Sequence, residues 1–163
     1  MKESFKYKTE NAETYKALEI KGTTFEPSFA EAERMFGDLS GKTVLDFGSG
    51  AGRSSRFLKE LGAKLVIGAE HNEAMINQAK TNRPTGVEYY LINKQIPLSN
   101  SSVDCAFASQ IFMEISKIED MKNALAEIAR VLKPSGEFII IVTTPKLTAI
   151  ISKVINIRTI RLI

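Results

Sequence analysis

The segment Val44-Leu45-Asp46-Phe47-Gly48-Ser49-Gly50-Ala51-Gly52-Arg53 runs from an apolar strand through a glycine turn into a helix. Thr43 to Phe47 is a short, apolar, β-rich run that halts at Gly48, the pattern of a strand covered on both faces. Beyond it Phe57, Leu58 and Leu61 recur at helical spacing, and Gly62 stands where a helix-terminating glycine belongs. A glycine turn leading into a helix lets a ligand approach backbone N–H groups that have no partner inside the helix. The glycines fall at 48, 50 and 52, and Arg53 takes the place where the turn of dinucleotide-binding folds needs glycine or alanine. That spacing disfavours NAD and FAD. The chain also has no phosphate loop of glycines followed by Lys and Ser or Thr, so nothing in it supports NTP hydrolysis.

The unit then repeats with other residues. Lys64 to Ala69 reads as a second strand ending at Glu70, followed by a helix through Ala74, Ile76 and Ala79 that stops before Pro84. Val87 to Ile92 and Val103 to Ser109 read as strands three and four. Met121, Leu125, Ile128, Ala129 and Leu132 form a helical stripe that Lys133-Pro134-Ser135-Gly136 ends, and Phe138 to Val142 is a fifth strand, apolar on both faces. Upstream, Phe29, Ala30, Ala32, Glu33 and Phe36 give a helical pattern in an otherwise polar lead-in. Apolar strands alternating with helices imply an α/β fold of three layers, α/β/α, around a doubly wound and mainly parallel sheet. One domain is expected, with residues 1–41 as the lead-in, 42–145 as an α/β core and 146–163 as a basic amphipathic tail.

Composition agrees with that architecture. The 163 residues are 44% hydrophobic and 25% charged, with one Cys, one His and no Trp. A chain of this length buries roughly 68–70% of its unfolded surface in one core. The net charge of +3 is unevenly spread: the first 145 residues carry 18 cations and 19 acids, whereas Lys146, Lys153, Arg158 and Arg161 give the tail +4. No basic stripe interleaved with aromatics argues for nucleic acid. A lone Cys105 excludes an internal disulfide and any Cys-rich metal site, which suits a reducing compartment. The N-terminus lacks the apolar run of a signal peptide, and no stretch reaches the length of a membrane span, so a cytoplasmic location is expected.

Two carboxylates bracket the glycine turn. Asp46 closes the first strand, where an anion repels pyrophosphate and suits a ligand with a cationic end, such as an amino acid ammonium. Glu70 ends the second strand, 22 residues beyond Gly48, where it can accept both hydroxyls of a ribose. Taken singly, an empty tight turn, a helix-capping Asp46 and a solvated Glu70 are the plain alternatives.

Together with Gly68-Ala69-Glu70, the opening segment resembles the first two motifs of class I S-adenosylmethionine-dependent methyltransferases. Ile96-Pro97-Leu98-Ser99-Asn100-Ser101-Ser102-Val103-Asp104 is similar to the segment leading into that family's fourth strand, and Glu127 to Glu137 is similar to the one before its fifth. The matches come in family order over about residues 42–145, with the small-molecule and quinone-type group the nearest in flavour.

The resemblance implies a Rossmann-like methyltransferase fold with S-adenosylmethionine as cofactor, S-adenosylhomocysteine as product and a small-molecule acceptor. It implies that Gly48, Ser49, Gly50 and Gly52 shape the loop around the methionine part, that Asp46 binds the amino end directly or through water, and that Glu70 binds the ribose. His71 and Met75 would flank the adenine, and Ser109 and Gln110 would border the sulfonium and the substrate pocket. Where the family often has Asp after strand three, this chain offers Asn93, whose carbonyl can still accept from the adenine amino group. For a general base only Glu114 and His71 come forward by position; Glu114 falls where relatives often have His. No metal is implied.

The family continues after strand five with a helix and an antiparallel strand pair that completes seven strands. Here 18 residues follow Pro145, enough for an amphipathic helix over Lys146 to Ile155 and one short strand within Ile157 to Ile163. The sheet is therefore expected to lack its last strands. Two readings follow: an active methyltransferase, or a catalytically silent cofactor-binding module completed by a partner or by a second copy through the sheet edge or tail. Tyr7 and Tyr15 of the lead-in would then contribute to a substrate lid.

Overall fold

The structure is a computed structural model and describes residues 20–142, 151 and 160–163. Tyr7, Tyr15 and all of the Lys146–Ile155 helix except Ile151 lie outside them. In chain order the elements are α1 (Glu26–Phe36), β1 (Thr43–Phe47), α2 (Arg53–Glu60), β2 (Leu65–Glu70), α3 (Glu73–Thr81) and β3 (Val87–Leu91). They continue with β4 (Val103–Ser109), a 3₁₀ turn (Ile111–Met113), α4 (Ile118–Val131), β5 (Leu132–Ile141) and β6 (Ile160–Leu162).

Six strands form one sheet in the order β3-β2-β1-β4-β5-β6, and every neighbouring pair is parallel. The short strand expected near the C-terminus is β6, which pairs Phe138 with Ile160 and Ile140 with Leu162. An ion pair of 2.7 Å between Arg161 and Glu137 braces it.

The apolar strands have helices to cover on both faces. Phe107 of β4 meets Phe29 and Phe36 of α1 edge-on at 5.8 and 5.7 Å, with Phe57 of α2 at 6.1 Å. On the opposite face, Met121, Leu125 and Ile128 of α4 pack with Phe112, Phe138 and Ile140. β5 divides its run between the two sides by strand alternation, since Ile139 and Ile141 belong to the first cluster. Cys105 is buried in that cluster as a core residue.

Two sequence expectations are corrected. Lys133-Pro134-Ser135-Gly136 does not separate α4 from β5: the strand begins at Leu132 and bulges through these residues, as Val103 pairs Leu132 while Cys105 already pairs Glu137. By sequence Lys117, Lys122 and Arg130 read as ordinary solvated helix faces, but Arg130 fastens a loop. Its guanidinium donates to the carbonyls of Ile96 and Leu98 and to Asn100 at 2.7–3.0 Å, while Glu127 binds both Arg130 and the Ile96 N–H. The planar fork of Arg, with five donors, is what allows one side chain to do all of this.

Candidate cofactor site

The strand order reverses direction between β1 and β4, so the loops leaving these strands diverge and open a crevice beyond their C-terminal ends. The turn after β1, the end of β2 and the turn after β4 all meet there. Gly48 and Gly50 have φ of +76° and +52°, a region that L side chains rarely adopt. Space separates their roles. A Cβ on Gly48 would stand 2.6 Å from Ile111 of the 3₁₀ turn, whereas one on Gly50 would meet nothing within 4 Å. Gly48 is thus a packing requirement, and Gly50 presents bare backbone to the crevice. Gly52 opens α2 and packs on Tyr89.

Glu70 is buried at 4% exposure and its carboxylate is fully engaged. Oε2 accepts the Gly50 N–H at 3.0 Å; Oε1 accepts the backbone N–H groups of His71 and Asn72 at 2.8 Å and lies 3.0 Å from His71 Nδ1. Burial pushes its pKa up, but the hydrogen bond and charge of His71 and the backbone donors outweigh it and hold the carboxyl below its ordinary value. His71 responds in the opposite sense. Its bond to Glu70 raises its pKa against partial burial, and the charges of Glu70 and Glu114 add to the rise.

Asp46 lies beneath the turn. Its Oδ2 accepts the hydroxyls of Ser54 and Ser55 at 2.8 and 2.5 Å, which ties the first turn of α2 to β1, while Oδ1 has no hydrogen-bond partner. Complete burial pushes its pKa up to about 6, opposed by the two serines and by Arg53 and reinforced by Glu70. The Ser49 and Ser109 hydroxyls are likewise buried without a partner. Buried polar atoms are almost always satisfied, so three exceptions around one turn mark a place built for a polar ligand. Gln110 adds backbone strain: it holds φ of +63° where β4 passes into the 3₁₀ turn. Such conformations cost about 1–3 kcal/mol and cluster at functional sites.

A cavity of about 100 Å³ lies over the turn, bordered by Gly48, Ser49, Gly50, Glu70, His71, Met75, Ser109, Gln110 and Glu114. Of the residues singled out in the sequence, these come together. Asp46 and Gly52 do not border it, and Asn93 borders a second cavity of about 720 Å³ instead. Gly48, His71, Ile111 and Glu114 form a wall common to both. Sequence reasoning passed over Arg53, Ser54 and Ile111, which also border the first cavity. Arg53, read there as a departure from another motif, stacks its guanidinium 4.0 Å from the centre of the Phe25 ring. No cluster of three metal-binding side chains occurs among the described residues.

A family described as "Methyltransferase domain" matches residues 45–140. A demethylmenaquinone methyltransferase from Tropheryma whipplei is 30% identical over 109 residues, which cover 66% of this chain and 44% of the relative. A malonyl-acyl-carrier-protein O-methyltransferase from Serratia marcescens is 33% identical over 109 residues, 64% of this chain and 40% of the relative. The chain therefore spans less than half the length of these two curated relatives. Among solved structures, an S-adenosylmethionine-dependent methyltransferase from Aquifex aeolicus superposes with a TM-score of 0.67 at 27% identity, covering 82% of this chain and 71% of that one. The glycine turn, the carboxylate after β2 and the turn after β4 all fall within or beside the family match, and the chain belongs to the S-adenosylmethionine-dependent methyltransferases.

Proposed function

We propose that the chain binds S-adenosylmethionine at the crevice beyond β1, β2 and β4 and directs its methyl group to a small-molecule acceptor. The observation that carries this reading is the unsatisfied, buried Ser49 and Ser109 hydroxyls beside a left-handed glycine turn, with Glu70 at the end of the neighbouring strand. These residues fit the cofactor chemically. The bare Gly50 backbone and the N-terminus of α2 suit a carboxylate, and Arg53 borders the same space with a cation. Asp46 places a carboxylate beneath the turn, suited to the ammonium end. Glu70 suits ribose hydroxyls, with His71 and Met75 beside the adenine and Asn93 in the adjoining cavity as an amide acceptor. When bound, the cofactor supplies a methyl group on a sulfonium, already activated for in-line displacement.

Catalysis then rests on placement rather than on a charge relay. Ser109, Gln110 and Ile111 frame the space beyond β4, where an acceptor atom has to be held about 3–3.5 Å from the methyl carbon with water excluded. Glu114 and His71 are the two groups on the wall between the cavities that can take a proton from an acceptor that needs to lose one. The small-molecule class is supported by the names of the two relatives. Self-association through the outer edge of β6 belongs to the same proposal. That edge is three residues long and carries Arg161, so light scattering decides between one copy and two.

Calorimetry with S-adenosylmethionine and S-adenosylhomocysteine tests the binding reading; no heat at millimolar ligand would sink it. Turnover against a panel of methyl acceptors separates an enzyme from a silent binding module.

A further inference from the structure

In the structure Oε1 of Glu70 is closed. It accepts the His71 and Asn72 backbone N–H groups and meets His71 Nδ1, while Oε2 accepts only the Gly50 N–H, and a pair of ribose hydroxyls needs one oxygen each. The backbone donors belong to the turn itself. The side-chain contact at 3.0 Å from His71 Nδ1 to Oε1 is different, because it comes from a ring whose side chain is 57% exposed on a rotatable bond. That ring also stands in the wall between the two cavities. Of the rest of that wall, Ile111 lies against Gly48, Gly48 has no side chain to move, and Glu114 is exposed and makes no bond to Glu70. At about 100 Å³ the first cavity is below the range of roughly 300–1,000 Å³ typical of ligand sites, whereas the second, about 720 Å³, lies within it.

We propose that His71 is a latch on Glu70: its imidazole holds the carboxylate shut against nucleoside hydroxyls, and a nucleoside ligand binds only when the ring leaves Oε1 and joins the two cavities. The inference rests on the cofactor reading above. It makes binding and protonation competitors. An imidazolium grips Glu70 more firmly than a neutral ring, so ligand affinity falls as pH falls through the His71 pKa. The carboxylates around the ring favour the gripped form, and Arg53 is the cation that opposes it. Glu70 of β2 and Glu114 after the 3₁₀ turn raise the His71 pKa; Asp120 of α4 lies across the second cavity and Arg53 of α2 across the first, and the charge of Glu70 acts on Asp46 of β1.

His71 is the sole histidine of the sequence, so its ring protons give an unambiguous titration curve by NMR. With S-adenosylhomocysteine as the probe, saturation is expected to lower the His71 pKa, because linkage is reciprocal. By calorimetry the wild-type affinity is expected to rise about three- to tenfold from pH 6.5 to 8.5, a window that takes in only the upper end of the Asp46 titration. His71→Phe, which keeps a ring and loses the donor, should bind more tightly than wild type at pH 6.5. Its residual pH response reports Asp46 and the ligand itself and should stay within about twofold. Binding that leaves the His71 pKa unmoved or raised, or an equally steep profile in His71→Phe, overturns the latch alone. Absence of binding by both proteins at every pH overturns the cofactor reading and the latch with it. Binding by the variant where wild type shows none supports the latch.

Discussion

Glu70 Oε2 accepts the Gly50 N–H at 3.0 Å, so the end of β2 is tied directly to the middle of the turn that follows β1. With the Gly48 and Ser49 N–H groups donating to the Ala69 carbonyl, the bond fixes the loop against β2, and it places the carboxylate at the point where ribose hydroxyls are expected.

Glu70→Gln tests both duties. An amide offers one acceptor where the carboxylate uses two, so affinity for S-adenosylhomocysteine should fall by at least about tenfold and the Gly50 amide should exchange faster. Because the folded pKa of Glu70 lies below its ordinary 4.5, its stabilising contribution is present above that value and is lost as pH falls through the lower folded one. The variant should therefore show a flatter acid limb in urea unfolding; an unchanged limb would remove Glu70 from the account.

Asp46 has the opposite sign. Its folded pKa of about 6 exceeds the ordinary 3.8, so its favourable contribution is complete below 3.8 and lost as pH rises through 6. The ionised form therefore costs about 3 kcal/mol at pH 8. Asp46→Asn removes that charge, while its buried amide N–H groups cost about 1–2 kcal/mol. A net gain of about 1–2 kcal/mol at pH 8, turning to a net loss of about 1 kcal/mol at pH 4, is expected from denaturant titrations, together with weaker cofactor binding. Equal stability at pH 8 would contradict the burial argument.

Gly48→Ala and Gly50→Ala should part company although both residues hold positive φ. The first adds a methyl 2.6 Å from Ile111 and should cost about 2–4 kcal/mol. The second meets open space and should cost about 1–2 kcal/mol, yet still impair binding by narrowing the approach to the backbone. Thermal denaturation beside ligand titration reads both; equal losses in stability would show that the Gly48–Ile111 contact yields freely.

Arg130→Lys should fail to rescue Arg130→Ala. An ammonium cannot bridge Glu127, Leu98 and Ile96 at once, so both variants should lose about 1–3 kcal/mol and expose the Ile96 amide to hydrogen exchange. Protection retained in the Lys variant would mean that the loop is held by other contacts.

Much of this was legible beforehand, for a physical reason. β1, β2, β4 and the C-terminal end of β5 are buried on both faces, so they announce themselves as unbroken apolar runs, and the turns between them announce themselves through glycine. Gly48, Gly50 and Glu70, which border the first cavity, sit at the ends of those runs, whereas His71, Met75, Ser109 and Gln110 are implied only by the family resemblance. What escaped reading depends on contacts between distant positions with no periodic trace. Arg130 reaches a loop some 30 residues upstream, Ile111 caps Gly48 across the crevice, and Lys133–Gly136 bulge within a strand where their composition suggests a turn. Asp46 was recognised as important, but its burial under Ser54 and Ser55 follows from helix geometry that the motif alone does not specify.

The central place of β1 has a consequence for biosynthesis. β1 is the first of the described strands to be made, yet one of its two neighbours, β4, begins 56 residues after β1 ends, and the Thr43 N–H waits for the Asp104 carboxylate. At about 5–20 residues per second, a ribosome leaves that apolar edge open for roughly 3–11 s. During that interval the nascent sheet offers a ready surface for chaperones or for mispairing, and ribosome pausing between residues 48 and 102 would lengthen the exposure.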